Sequence, residues 1–139
     1  MSQDKIEIAR KFIQAIPHAR ALSMDVVAIG EGEATIRMPY DPRLIGDPET
    51  GVIHGGAVST LMDTCGGAAA MSHPSLPSTT ATLDLRIDYM RGATPGQAIT
   101  AHAVCYHVTR SVAFVRATAF DDDRERPVAT ATGAFTVGN

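Results

Sequence analysis

The chain has 139 residues, of which 45% are hydrophobic and 19% charged, and its formal net charge at pH 7 is −3. Such a chain can bury most of its apolar surface in one core, so we expect a single domain over residues 1–139. The mild negative charge argues against a nucleic-acid partner. No stretch approaches the roughly 20 apolar residues of a membrane span, and the first residues lack a signal-peptide pattern. We therefore expect a cytoplasmic protein that acts on a small molecule.

The first part of the chain predicts a short helix and a hairpin. Apolar residues recur at helical spacing over residues 5–16, and Pro17 is expected to end that helix. Two strand-like runs, residues 25–29 and 34–40, flank a Gly-Glu-Gly turn. Residues 41–53 are dense in turn formers, so we expect them to be irregular.

A long helix is predicted to begin at His54 and to end in the proline-rich segment 73–77. Its apolar face is formed by Val58, Leu61, Met62, Cys65 and Ala69. Gly66 and Gly67 lie on another face, where each should cost roughly 1 kcal/mol relative to alanine. We infer that they allow close approach of the wrapping sheet or of a partner subunit.

The second half of the chain reads as a sheet. Residues 80–89 alternate strictly between apolar and polar side chains, and further strands are predicted at 98–108, 112–120 and 128–137. The order of helix, hairpin, long helix and four antiparallel strands predicts an α+β fold, with one sheet packed on one helix. Cys65 and Cys105 have neither metal-ligand nor disulfide spacing, so we expect buried free thiols and no metal site.

The sequence His54-Gly55-Gly56 at the start of the long helix is the strongest functional signal. The first N–H groups of a helix have no intrahelical acceptor and lie at the positive end of its dipole, so they can stabilise an oxyanion. Asp63 follows the histidine by about two and a half helical turns. It could act as a base or as a nucleophile.

These residues resemble the hotdog-fold acyl-CoA thioesterases, particularly the phenylacetate-degradation type. The resemblance covers nearly the whole chain and rests on the His-Gly-Gly turn, Asp63 at the family's spacing, the strand ending in Tyr89-Met90-Arg91, and the Gly96 turn before a long strand. It implies a sheet wrapped around the central helix and a homodimer joined through sheet edges, with active sites at the interface. Many such dimers pair further, so a homotetramer is expected.

The resemblance also implies roles for individual residues. The backbone N–H of Gly55 would bind the thioester oxygen, and Asp63 of the opposite subunit would activate water or attack the carbonyl directly. Thr82 stands where relatives place a hydroxyl near the reacting centre, and His54 would mainly orient the turn. Coenzyme A enters as part of the substrate and no separate cofactor is implied.

Four residues near strand ends are candidates to contact the coenzyme A nucleotide. They are Arg91, His107, Arg110 and Ser111. In relatives, the corresponding loops line the nucleotide entrance.

One position departs from the family pattern. Relatives often carry an asparagine six residues before the histidine, whereas this chain has Pro48. Asp47 or Glu49 could replace it only in part, because a carboxylate there would repel an attacking anion.

Two other functions stay open, as does the acyl group. A hotdog enoyl-CoA hydratase or dehydratase would depend on Asp47 and His54 and would tolerate loss of Asp63. A non-catalytic acyl-CoA binder would bind the ligand without releasing thiol. Phenylacyl, hydroxyphenylacyl and medium-chain acyl groups are all compatible with the sequence.

Overall fold

The computed structural model describes residues 3–75 and 79–138. Its helices are α1 (Gln3–Ala15), α2 (Pro17–Ala21) and α3 (Gly55–Met71). Its strands are β1 (Asp25–Gly30), β2 (Glu33–Met38), β3 (Ile45–Asp47), β4 (Val52–Ile53), β5 (Thr82–Tyr89), β6 (Ile99–Val108), β7 (Val112–Phe120) and β8 (Ala129–Thr136). The predicted α+β fold is confirmed, and the antiparallel sheet around a central helix is the hotdog arrangement.

Six strands form one antiparallel sheet in the order β1-β2-β6-β7-β8-β5. Helix α3 packs on one face of this sheet, against β2, β6 and β7. The strands bury alternate residues towards it, as Ala101, Ala103 and Cys105 do in β6. The predicted apolar face of α3 is buried along its whole length, so the periodicity identified the core correctly.

The N-terminal region contains two helices where the sequence predicted one. α1 ends at Ala15, and Pro17 then occupies the first turn of α2. Proline suits that position because its fixed φ is already helical and the missing N–H has no intrahelical acceptor there. Arg10 fixes α1 to β1 through an ion pair with Asp25 at 2.9 Å and a hydrogen bond to the carbonyl of Val26 at 3.1 Å.

Residues 41–53 are more ordered than predicted. Pro42–Leu44 form a 3-10 turn, and β3 and β4 pair as a small separate hairpin. The Asp47 carboxylate closes that hairpin by accepting hydrogen bonds from the Glu49 N–H at 3.1 Å and the Thr50 hydroxyl at 2.8 Å. Of the predicted helix-ending segment, Leu76 and Pro77 lie outside the described residues.

Strand β5 has an irregularity that strict alternation did not predict. Its register against β8 shifts between Thr82 and Asp84, as in a β-bulge. Leu85 and Ile87 pack against the core, but Leu83 is 57% exposed. The bulge turns Thr82 towards α3, where alternation alone would have put its side chain on the other face.

Gly66, the first of the two glycines within α3, makes room for an aromatic ring from β8. A Cβ on Gly66 would lie 2.9 Å from Cζ of Phe135, whereas a Cβ on Gly67 would lie 3.7 Å from Cε2 of the same ring. Phe135 is 1% exposed. The inference of close approach by the sheet is therefore confirmed at Gly66, where a side chain of the same subunit makes the approach, and Gly67 shows only ordinary contacts.

The two cysteines are buried free thiols, as predicted. Burial raises the pKa of the Cys65 thiol to about 12, and its Sγ lies 3.3 Å from the carbonyl oxygen of Ala34. A thiol in that state is not a nucleophile at neutral pH. Within the described residues, no helix is both long and apolar enough to span a membrane.

Candidate active site

His54 caps the start of α3. Its backbone is extended, and its ring Nδ1 accepts a hydrogen bond of 2.7 Å from the Gly56 N–H. The His54 carbonyl accepts a second bond, of 3.0 Å, from the Ala57 N–H. A neutral imidazole that accepts at Nδ1 carries its proton on Nε2. The ring is therefore engaged in shaping the turn, which is the arrangement expected of an orienting residue.

Gly55 is the first residue of α3, and its N–H has no intrahelical acceptor. Its carbonyl oxygen accepts a hydrogen bond of 2.8 Å from the Tyr89 hydroxyl. The same ring lies 3.3 Å from the position that a Cβ on Gly55 would take. Tyr89 thus fixes the peptide at the helix start, a contact that its place at a strand end did not indicate.

Asp63 and Thr82 are brought together across the gap between α3 and β5. The Thr82 hydroxyl donates a hydrogen bond of 2.6 Å to Asp63 Oδ1. This bond engages one carboxylate oxygen, and ionised carboxylates have further acceptor sites. The pair lines a cleft of about 310 Å³ together with apolar residues of α1, among them Phe12 and Ile13.

The two halves of the predicted site are far apart within one chain. Gly55 and Asp63 are separated by eight residues of α3, which corresponds to roughly 12 Å along the helix axis. A thioester carbonyl bound at the Gly55 N–H would be out of reach of the Asp63 carboxylate of the same chain. This distance favours the expectation that the two groups of one site come from different chains, which stays a prediction.

Arg91 does not have the environment expected of a phosphate ligand. Its guanidinium binds both carboxylate oxygens of Asp121 at 2.7 Å. Its remaining N–H groups are directed at the carbonyl oxygens of Gly92 and Arg126. All five donors are thus used within the chain, which favours a structural role for Arg91, and its contact with coenzyme A stays a prediction.

The other nucleotide candidates lie at the turn between β6 and β7. His107 is exposed and stacks on Phe114 with ring centroids 6.0 Å apart. Arg110 and Ser111 are also exposed, and Arg110 forms no ion pair with any residue in the described ranges. Their role in binding coenzyme A stays a prediction.

No hydrogen bond joins Asp47 to His54 in the part of the chain that the structure describes. The Asp47 carboxylate is held in the β3–β4 turn, and His54 Nδ1 is occupied by the helix cap. An acid–base pair of these two residues would require both to give up their present contacts. Across the same described residues, no three His, Cys, Asp or Glu side chains come together as a metal site.

Comparison with known proteins identifies the family of the chain. The sequence profile of the thioesterase superfamily matches residues 50–128, which include the helix start, Asp63 and Thr82. The chain belongs to the thioesterase superfamily. Membership of this superfamily confirms the prediction of a thioester-hydrolysing enzyme.

Individual relatives within the superfamily differ in how closely they match. A solved structure from Pseudomonas aeruginosa is 44% identical, with 94% of this chain and 97% of that chain covered and a TM-score of 0.83. The medium/long-chain acyl-CoA thioesterase YigI of Escherichia coli is 24% identical over 94% of this chain and 92% of its own. A curated protein of Halobacterium salinarum is 39% identical over 75 residues, so the match spans 52% of this chain and 50% of that relative.

The phenylacetate-degradation type is represented among the solved structures. The PaaI protein of Escherichia coli, from the phenylacetic acid degradation operon, is similar with a TM-score of 0.84. The match covers 96% of this chain and 92% of that one at 21% identity. At this identity the likeness concerns the thioesterase-superfamily fold alone.

Proposed function

We propose that the protein hydrolyses acyl-CoA thioesters to a free acid and coenzyme A, at sites built from two copies of the chain. The observation that carries the proposal is that the chain presents two groups, the Gly55 N–H without an intrahelical acceptor and the Asp63 carboxylate that accepts a hydrogen bond from Thr82. The acyl-CoA class is supported by the likeness to YigI, a medium/long-chain acyl-CoA thioesterase.

The chemistry requires only these few groups, because a thioester has a good leaving group. The Gly55 N–H would stabilise the oxyanion that develops when the carbonyl carbon is attacked. In one route Asp63 removes a proton from water, the new C–O bond forms, the C–S bond breaks, and the proton passes to the departing thiolate. In the other route the Asp63 carboxylate attacks the carbonyl carbon, and the C–S bond breaks so that the coenzyme A thiolate leaves. Water then hydrolyses the resulting anhydride to the free acid and Asp63, and the proton released goes to the thiolate. Both routes lose their catalytic group when Asp63 is replaced.

The role of Asp63 is tested by thiol release over a panel of acyl-CoAs. Asp63→Asn should lower kcat by about 10²- to 10⁴-fold, the range typical for loss of a positioned base. Asp122→Asn removes an exposed acid from the loop between β7 and β8, outside β5 and the proposed site, and should leave kcat unchanged. Full activity of Asp63→Asn on the best substrate would show that the proposed mechanism is wrong.

The role of Gly55 is tested with proline and alanine. Proline is favoured at the first position of a helix, where it removes the N–H without breaking an intrahelical hydrogen bond. The extended backbone of His54, with φ −59° and ψ 136°, suits a residue before proline. Gly55→Ala adds the same Cβ near Tyr89 but keeps the N–H, so it is the matched control. Relative to Gly55→Ala, Gly55→Pro should lower kcat by about 10²- to 10³-fold. Equal rates would exclude this N–H as the oxyanion donor.

The shared site is tested by mixing inactive chains. In a mixed dimer of Asp63→Asn and Gly55→Pro, one site would combine both intact groups and the other would combine both lesions. Random reassociation makes half of the dimers mixed, so a symmetric two-fold dimer should regain about a quarter of wild-type activity. If dimers shown to be mixed recovered no thiol-release activity, the Gly55 N–H and the Asp63 carboxylate of one site would have to come from the same chain. A strict monomer by gel filtration would contradict the shared site as well.

The edge of the sheet offers a surface for such a dimer. β5 is the last strand of the sheet, so one side of its backbone has no neighbouring strand in the described chain. It exposes Leu83 and Tyr89, and Met90 follows it. An exposed apolar edge strand is a template for pairing with a second copy.

The alternative enoyl-CoA hydratase makes opposite predictions. It would lose activity on replacement of Asp47 or His54 and keep it in Asp63→Asn. The present contacts of Asp47 and His54 within the turn and the helix cap disfavour it. Hydration of an enoyl-CoA by Asp63→Asn would nevertheless establish that reaction. A non-catalytic binder would bind acyl-CoA without releasing thiol.

A further inference from the structure

The Asp63 cleft shares part of its lining with a second, apolar cleft between α1 and α3. The second cleft measures about 380 Å³ and reaches Ile8 of α1 and Ile29 of β1. The two clefts share Phe12, Ile13, Ala68 and Met71. We call these four residues and the groove that they line the α1–α3 seam.

The chemical character of the seam changes along its length. Near Asp63 and Thr82 it offers a carboxylate and hydroxyl groups. Further along, the lining of the second cleft is apolar except for Ser72 and the single charge of Glu31. Phe12 is 52% exposed and Ile8 69% exposed, so apolar surface is left uncovered at this end. An exposed apolar patch that continues from a polar reacting centre is typical of a ligand-binding groove.

The seam has a defined length and a fixed wall. Asp63, Gly67 and Met71 are four residues apart on α3, so they follow one another along the same side of the helix. From Asp63 to Met71 this side measures roughly 12 Å. The opposite wall, α1, is held to β1 by Arg10.

We propose that the seam binds the unbranched aliphatic chain of the acyl-CoA substrate, with the thioester at Asp63 and the chain end towards Ile8 and Ile29. The inference rests on the proposed thioesterase function and adds the class of acyl group. A carboxylate at one end and a groove beyond it that is apolar except for Ser72 and Glu31 match a thioester followed by methylene groups. A phenylacetyl group would fill only the part nearest Asp63, and the remaining surface would stay exposed to water.

The proposal is tested by narrowing the seam at its midpoint. Ala68 lines both clefts, so Ala68→Phe should block the path beyond Asp63. Ala21→Phe is the matched control, because Ala21 is an exposed helical alanine that lines neither cleft. Phe12→Ala is a second variant, which removes apolar contact without adding bulk.

Thiol release is measured with butyryl-, octanoyl-, dodecanoyl- and phenylacetyl-CoA. In the wild type, kcat/KM should rise with chain length by up to about fourfold for each added methylene that is buried. Ala68→Phe should lower the dodecanoyl-to-butyryl ratio of kcat/KM by about tenfold or more. Phe12→Ala should lower it less, and Ala21→Phe should keep the wild-type ratio. A ratio that is the same in Ala68→Phe and Ala21→Phe would overturn the proposal, as would a wild-type preference for phenylacetyl-CoA without a rise along the aliphatic series.

A binding measurement separates this inference from the proposed reaction. Calorimetry with the non-hydrolysable thioethers S-butyl-CoA and S-dodecyl-CoA needs no turnover. Tighter binding of S-dodecyl-CoA that is lost in Ala68→Phe would support the seam even if the wild type released no thiol, an outcome that would refute only the reaction. Equal binding of both thioethers would refute the seam. If Phe12→Ala changed the oligomeric state but not the dependence of kcat/KM on acyl length, the α1–α3 seam would be occupied by a second copy of the protein and the acyl-chain proposal would be wrong.

Discussion

The glycine pair in α3 allows a stability prediction that separates two neighbouring positions. Replacing a helical glycine by alanine gains about 1 kcal/mol of helix propensity. At Gly66 the new methyl would lie 2.9 Å from Cζ and 3.2 Å from Cε1 of Phe135. That ring is buried in the core and has little room to move. Overpacking of this kind costs typically 1–3 kcal/mol, so Gly66→Ala should lower the free energy of unfolding by about 1 kcal/mol net.

At Gly67 the balance has the opposite sign. A methyl there would meet Cε2 of Phe135 at 3.7 Å and Cγ2 of Thr80 at 4.0 Å, which are ordinary contacts. Gly67→Ala should therefore raise the free energy of unfolding by about 1 kcal/mol. The two variants differ by one position and should differ in stability by about 2 kcal/mol.

Urea unfolding at one protein concentration measures the difference, because association of copies would make the midpoint depend on concentration. A double variant tests whether contact with the Phe135 ring causes the destabilisation in Gly66→Ala. In the background of Phe135→Leu, which shortens the ring side chain, Gly66→Ala should lose most of its penalty. Equal stability of Gly66→Ala and Gly67→Ala would show that the Phe135 ring does not explain the glycine at position 66. The same conclusion would follow if Gly66→Ala were as destabilising in the Phe135→Leu background as in the wild type.

Two more predictions concern polar contacts. The Arg91 guanidinium, assisted by the backbone N–H groups of Thr94 and Asp123, holds the pKa of Asp121 well below its usual range. The unfolded value is about 3.9, so the stability from this carboxylate is complete above about pH 4 and is lost as pH falls towards the folded pKa. In unfolding measured from pH 7 to pH 3, the free energy of unfolding of Asp121→Asn should be lower than that of the wild type by about 3 kcal/mol at pH 7. Below pH 4 it should fall less steeply with pH than in the wild type. Equal pH dependence below pH 4 would show that Asp121 is not the source of this acid sensitivity. Thr82→Val should lower kcat by about 10- to 100-fold, because a hydrogen bond to a charged group is lost. Thr82→Ser keeps a hydroxyl and should keep the wild-type rate. Equal rates in the two variants would show that the Thr82 hydroxyl does not contribute to catalysis.

The fold was predictable from the sequence because its main signals are periodic. The apolar positions of α3 repeat with the helical period, and the later strands alternate with period two, so both identify buried faces directly. The pairing of Asp63 with Thr82 was expected only from the resemblance. Periodicity alone would have placed Thr82 on the face of β5 opposite Leu85.

The features that the sequence did not predict depend on contacts between distant segments. The bulge at Leu83 is a register choice between β5 and β8, and no local signal marks it. Arg91 binds Asp121, which lies 30 positions away in the sequence. Because that partner cannot be identified from the sequence, an arginine at a strand end was equally compatible with binding a phosphate. The β3–β4 hairpin is built on the side chain of Asp47, in a stretch whose composition indicated only turns.

Strand β5 connects the site to the edge of the sheet, and its direction explains how a dimer would complete the site. Near its start Thr82 contacts Asp63, and at its end Tyr89 contacts Gly55, so β5 runs antiparallel to the segment of α3 that carries both groups. In a two-fold dimer the same strand meets itself antiparallel. Such pairing would set the Thr82 end of one copy beside the Tyr89 end of the other. The proposed dimer would therefore bring Asp63 of one chain close to Gly55 of its partner. Within one chain the same two residues are separated by roughly 12 Å along α3.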